Sequence, residues 1–219
     1  MNINDYILTE IKALVPQDTV ASAHDLCRNY PITHFPVIDT NKLIGSFSEE
    51  DIQTIENKED TINEHRFLLN HFYADTKTPL LELIALFAEN DCNIIPVLDK
   101  DQNYIGYYEL RDILDVFADS PFMHKDNDTL IVAKTKADFS MSQISQIVES
   151  NNAKLLGLYV SKESPDNVQV TLKISSDDMN EIIQTFRRYD YSILTIHEDD
   201  TYLEELKDRA NYLRKYLDM

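Results

Sequence analysis

The chain states one pattern twice, about 60 residues apart, and then abandons it, and this duplication limits what it can fold into. Val20, Ala23, Leu26 and Cys27, followed by Phe35-Pro36-Val37-Ile38-Asp39, return as Leu80, Leu83, Leu86 and Phe87, followed by Ile95-Pro96-Val97-Leu98-Asp99. Ile44, Gly45, Asp51 and Ile52 return as Ile105, Gly106, Asp112 and Ile113, with one extra residue of offset. The slip falls between Asp39 and Leu43, where the second copy reads Asp99-Lys100-Asp101-Gln102-Asn103, the composition of a turn. A unit this short buries too little surface to stand alone, so the copies are expected to pack face to face and leave paired clefts between them.

Each copy opens on a helix signal, Asp18-Thr19 before Val20 and Thr78-Pro79 before Leu80, with apolar residues then spaced along one helical face. The runs Phe35 to Ile38 and Leu43 to Phe47 read as a hairpin, as do Ile94 to Leu98 and Tyr104 to Tyr108. A second helix follows in each copy, over Ser48 to Thr54 and Glu109 to Phe117. Glu56 to Glu64 is polar and suits an exposed connection, and Ser120-Pro121 with its acidic surroundings marks a boundary. Beyond it come strands at 130–135, 155–160, 168–174 and 191–197 and helices at 141–150 and 177–189, capped from Ser140 and the 175–178 segment. The order is that of a ferredoxin-like βαββαβ sandwich. Leu203, Leu206, Ala210, Leu213 and Leu217 predict a terminal helix with a seam of about two heptads, suited to docking. The fold class expected is therefore mixed α/β (α+β). Its divisions are a first repeat over 1–55, a linker over 56–71, a second repeat over 72–122, the βαββαβ domain over 129–198 and a helix over 199–219.

Several functions are disfavoured. A net charge of −19 offers no electrostatic footprint for nucleic acid. No apolar run is long enough to span a bilayer, and the first residues do not read as a secretion signal, so a cytoplasmic protein without a membrane contact is expected. With three glycines there is no phosphate-cradling glycine loop, and no His-Glu-x-x-His pair or nucleophile elbow is present. Cys27 and Cys92 sit in apolar surroundings and are expected as reduced, buried thiols. His65 and His71 read as solvated linker histidines, and Glu49-Glu50-Asp51 and Asp199-Asp200 as solvated helix starts; no catalytic or metal site is expected.

With the repeats in place, each copy resembles a CBS domain, and the two together resemble a CBS pair. The resemblance is carried by Phe35-Pro36-Val37-Ile38-Asp39 with Gly45-Ser46-Phe47-Ser48-Glu49-Glu50-Asp51, and by Ile95-Pro96-Val97-Leu98-Asp99 with Gly106-Tyr107-Tyr108-Glu109-Leu110-Arg111-Asp112. The segment from Leu130 to His197 is similar to an ACT-type regulatory domain, and the whole chain resembles bacterial acetoin-utilisation-type CBS/ACT regulatory proteins. The Lys136 to Met141 loop lacks the glycine usual where ACT domains hold an amino acid, which favours an interface role for that domain.

The resemblance implies adenine-containing ligands (AMP, ADP, ATP or S-adenosylmethionine) in the clefts, with no cofactor required. For the first copy it implies Ser48 at phosphate, Asp51 at the ribose hydroxyls, and His34 and Phe35 beside the base. For the second it implies Asp112 at the ribose and Ile95 beside the base. Glu109 stands where the hydroxyl should be, a charge beside phosphate that Arg111 would have to offset. Ser48 and Asp51 also suit a second role, capping the helix that follows the hairpin. The function expected is a non-catalytic sensor that binds an adenosyl ligand and signals to a protein partner, as a homodimer through the CBS pair, the ACT-like domain or the terminal helix. The alternative is a ligand-free oligomeric scaffold with degenerate sites.

Overall fold

The computed structural model describes residues 2–195 and resolves into two compact units, Met1–Phe117 and Ala118–Met219. The predicted terminal helix at 199–219, Asp199-Asp200 and the end of the strand predicted over 191–197 lie outside the described residues.

In the first unit, α1 (Val20–Asn29) begins where Thr19 Oγ1 accepts the Ser22 amide, and it turns Val20 and Ala23 into the core. A hairpin of β1 (His34–Asp39) and β2 (Lys42–Ser48) follows, then α2 (Glu49–Thr54). The second copy repeats this as α3 (Leu80–Glu89), β4 (Ile94–Leu98), β5 (Tyr104–Glu109) and α4 (Leu110–Ala118), with a two-residue β3 (Ala74–Asp75) ahead of it. Pro79, not Thr78, occupies the N-cap of α3; the Thr78 hydroxyl instead accepts the Asp75 amide. The repeat offset does fall in a turn. Thr40 and Asn41 close the first hairpin with positive φ, whereas the Asp99 carboxylate gathers the Asp101 and Asn103 amides around the longer second one.

The copies are laced together by segments with little periodicity of their own. Leu8 exchanges two backbone hydrogen bonds with Tyr107 of the second copy, and Asn70 exchanges two with Ser46 of the first. Leu14 and Ala74 then run parallel to Val37 and Val97, each beside the hairpin that follows it in sequence. These crossings explain Gly45 and Gly106, both at positive φ. A Cβ on Gly45 would lie 2.8 Å from Leu69 Cβ, and one on Gly106 would lie 2.4 Å from the Leu8 carbonyl oxygen. The connection expected to be exposed is so over residues 56–59 and at Asn63 and Glu64, but Ile62 is buried, and the amides of Val20 and Ala21 donate to the carbonyls of Asp60 and Lys58. Two cores result: the first includes Ile94 and Tyr107 from the second copy, and Ile3, Tyr6 and Ile7 pack on the second.

In the second unit β6 (Asp128–Thr135), α5 (Met141–Ser150), β7 (Lys154–Glu163), β8 (Asn167–Ser175), α6 (Met179–Arg188) and β9 (Ser192–Ile193) give the ferredoxin-like order, with an antiparallel sheet arranged β7-β8-β6-β9. Ser140 and Asp178 cap the two helices. Ile144, Ile147, Val148, Ile182, Ile183 and Phe186 form one core with Leu130, Val132, Val170 and Leu172. Gly157 makes room for the ring of Phe122, whose Cδ2 would stand 2.5 Å from an added Cβ.

Candidate ligand cleft

The start of β1 and the start of α2 meet where the two copies face each other. Thr33 and Asn93 occupy equivalent positions in the repeats and bond one another directly: the Thr33 amide donates to Asn93 Oδ1 at 2.8 Å, and the Asn93 amide donates to Thr33 Oγ1 at 3.0 Å. The backbone keeps the same symmetry, because the Thr33 carbonyl accepts the Glu49 amide and the Asn93 carbonyl accepts the Leu110 amide. A pseudo-twofold axis therefore passes between these two residues, with a hollow on either side.

The first hollow is a cleft of about 400 Å³ lined by Thr33, His34, Ser48 and Asp51 of the first copy together with Asn90 and Asp91 of the second. Asn70, Glu49 and Glu50 complete its wall. Of the residues expected there, His34, Ser48 and Asp51 are brought together. Phe35 is not: alternation along β1 turns its ring into the first core, where it is 1% exposed.

Ser48 takes the capping role, and does so on the cleft wall. Its Oγ accepts the Asp51 amide at 3.0 Å as the N-cap of α2, and its hydroxyl donates to Asp51 Oδ2 at 2.5 Å, on the cleft wall. His34 is nine-tenths buried; its Nδ1 meets the Thr33 hydroxyl at 3.0 Å and its ring stands edge-on to Phe72. Burial holds its imidazole below the ordinary range, against the opposing pull of Asp51, Asp91 and Glu50, so the ring is neutral near pH 7. The Thr33 hydroxyl donates to Asn93 Oδ1, which leaves it to accept from an Nδ1–H of His34. In that tautomer Nε2 is an acceptor, and it has no partner among the described residues.

The second hollow, about 320 Å³, is lined by Asn93, Glu109, Leu110, Arg111, Leu114 and Asp115. Glu109 and Arg111 are present as expected, but Arg111 is exposed and makes no ion pair among the described residues. Asp112 is half-buried and does not line the hollow; Ile95, like Phe35, is in the core. The two clefts are thus built on one backbone plan with different walls.

Asn70, Asn90 and Asp91 escaped the sequence reading. Asn90 and Asp91 follow the last turn of α3, and their counterparts Tyr30 and Pro31 are chemically unlike them. That mismatch within an otherwise faithful repeat was a signal available in the sequence. Cys27 and Cys92 are free thiols pushed up by burial, to about 11 and about 12; Cys27 is only half-buried. No group of three or more His, Cys, Asp or Glu side chains among the described residues is arranged to hold a metal ion, and no described helix is long and apolar enough to cross a membrane.

Residues 3–56 and 69–119 match the CBS domain family. The N-terminal unit is a pair of CBS domains. In a curated inosine-5'-monophosphate dehydrogenase from Methanocaldococcus jannaschii, 112 residues align at 27% identity, spanning 51% of this chain and 22% of that enzyme. A CBS-domain-pair/ACT-domain protein from Thermotoga maritima shares the fold at a TM-score of 0.50 and 17% identity, over 55% of this chain and 99% of that one. A CBS-domain protein solved in complex with AMP aligns at a TM-score of 0.43 and 21% identity, over 53% of this chain and 95% of that one. The CBS pair is here followed by a β-rich unit consistent with an ACT-like domain.

Proposed function

We propose that the CBS pair is the sensing part of a regulatory protein, and that an adenine-containing nucleoside or nucleotide enters the cleft beside His34, Ser48 and Asp51. The observation that carries this reading is that one hollow of about 400 Å³, a size suited to a small organic ligand, draws its polar wall from both copies. A guest bonded to Asp51 on one side and to Asn90 or Asp91 on the other has a different affinity for each arrangement of the copies. That difference is what a ligand needs to shift their packing. In this proposal the change is passed to a protein partner through the ACT-like unit and the chain that follows it, within a homodimer. Asp51 accepts the ribose hydroxyls and the aromatic edge of His34 borders the base.

The test is a thermal-shift and calorimetric screen of the full chain with adenosine, AMP, ADP, ATP and S-adenosylmethionine. At least one is expected to bind and to raise the melting temperature, with Asp51→Ala weakening it about tenfold or more through loss of a charge-assisted contact. If none of the five gives heat or a shift, the sensing reading fails. The scaffold reading then stands, and it has one observation in its favour: the Ser48 hydroxyl is already satisfied within its own helix cap.

A further inference from the structure

The polar wall of the first cleft is rich in acceptors and poor in donors. Glu49, Glu50, Asp51 and Asp91 contribute four carboxylates, and no lysine or arginine lines the cleft. Most of the donors a phosphate would need are engaged elsewhere, the side-chain amide of Asn70 being the exception. The Ser48 hydroxyl and the Asp51 amide bond each other's residue, the Glu49 amide donates to the Thr33 carbonyl, and Asn90 Nδ2 donates to the Leu86 carbonyl. The Thr33 hydroxyl is directed to Asn93.

A second observation points the same way. His34 is nine-tenths buried on the cleft wall, its ring is neutral, and in the tautomer favoured by the Thr33–Asn93 bond its Nε2 is an acceptor with no partner among the described residues. Asp91 places a further carboxylate, at positive φ, beyond the C-terminal end of α3, where the helix dipole already disfavours negative charge. Among the described residues no three of these carboxylates are grouped to hold a metal ion on their own.

We infer that this cleft selects a phosphate-free nucleoside of neutral or positive charge, rich in hydrogen-bond donors, and discriminates against nucleotides. The inference rests on the sensing role proposed above and narrows it. Ribose hydroxyls donate to Asp51, and a donor on the ligand, such as an exocyclic amine, donates to His34 Nε2. A sulfonium or ammonium substituent lies in the field of Glu50 and Asp91. A phosphate dianion in the same place meets like charge and few free donors.

The test is calorimetric titration of the full chain, without divalent cations, using adenosine, AMP, ATP and S-adenosylmethionine at low and high sodium chloride. S-adenosylmethionine and adenosine are expected to bind, with AMP weaker than adenosine by about tenfold or more and ATP weaker still. Added salt is expected to weaken S-adenosylmethionine and narrow the gap between adenosine and AMP. The variants Glu50→Gln and Asp91→Asn change exposed side chains and are expected to recover AMP binding several-fold, with adenosine left within about twofold in Glu50→Gln. AMP binding as tightly as adenosine in the wild type, or unchanged AMP affinity in both variants, overturns the charge selection and leaves the sensing role standing. Binding of none of the four overturns this inference, and silence of ADP as well removes the sensing role.

Discussion

Replacing Gly106 with alanine tests the interlock that makes two short repeats into one body. The new Cβ would stand 2.4 Å from the Leu8 carbonyl oxygen and 2.6 Å from Ile7 Cγ2, on a backbone at φ +143°. The near atom is backbone, so relief requires the Leu8 segment to retreat. That breaks the two bonds Leu8 and Tyr107 exchange at 2.8 and 2.9 Å, about 0.5–1.5 kcal/mol each. A side chain held in this glycine region adds about 1–3 kcal/mol of strain. The sum is about 4 kcal/mol, a large part of the roughly 5–15 kcal/mol that stabilises a domain. Gly45→Ala should cost less, because its nearest obstacles are Leu69 Cβ at 2.8 Å and the Asn70 carbonyl at 3.1 Å. Urea unfolding followed by circular dichroism, with hydrogen exchange resolving peptides of the first unit from those of the second, gives the penalty. Repeating the substitution in a chain lacking residues 1–9 separates its parts, because without the Leu8 segment only the strain remains. A penalty below about 1 kcal/mol, or one equal in the full and shortened chains, would refute the reasoning.

Two further perturbations probe the axis and the cleft. Asn93→Ala removes the side-chain acceptor for the Thr33 amide and hydroxyl and the donor to the Pro31 carbonyl, and should cost about 1.5–3 kcal/mol in urea unfolding; a neutral result would mean that these bonds do not hold the copies together. His34 has a folded pKa depressed below 6.5 by burial, so its contribution to stability is complete above about pH 6.5 and is lost as pH falls through the folded value. The melting temperature of the wild type should therefore drop more steeply from pH 7 to pH 5 than that of His34→Asn, and an imidazole that titrates above 6.5 by NMR would contradict this.

The repeats, both hairpins and the βαββαβ order are readable because each rests on a run long enough to show its period: the alternation into Val132 and Leu130, the helical stripe of Leu83 and Phe87. The crossings are not, because Leu8, Leu14 and Asn70 each pair through a single residue and carry no period at all. Their imprint was nevertheless in the sequence as Gly45 and Gly106, two of only three glycines, placed alike in the two copies. Ile62 is hidden for a different reason: a charged stretch around one apolar residue reads as solvent-exposed whatever that residue buries. Phe35 was misplaced at the cleft because adjacency to His34 in sequence means the opposite face in a strand.

Where the backbone itself is constrained, the two copies agree: the glycines under the crossings, the hairpin register shifts after Val37 and Val97, the carbonyls of Thr33 and Asn93. They part on the wall of the first cleft, where Ser48 and Asn90-Asp91 have Glu109 and Tyr30-Pro31 as their counterparts in the other copy. Glu109→Ser separates these two kinds of position. Residue 109 immediately precedes α4 and is the counterpart of the α2 cap, so a serine there can accept the Asp112 amide as Ser48 accepts that of Asp51, adding about 0.5–1 kcal/mol. It should not create a second binding site, because Tyr30 and Pro31 supply none of the acceptors that Asn90 and Asp91 bring to the first cleft. A calorimetric stoichiometry that doubles in Glu109→Ser would show that the hydroxyl alone makes a cleft competent, and that the wall from the opposite copy is irrelevant.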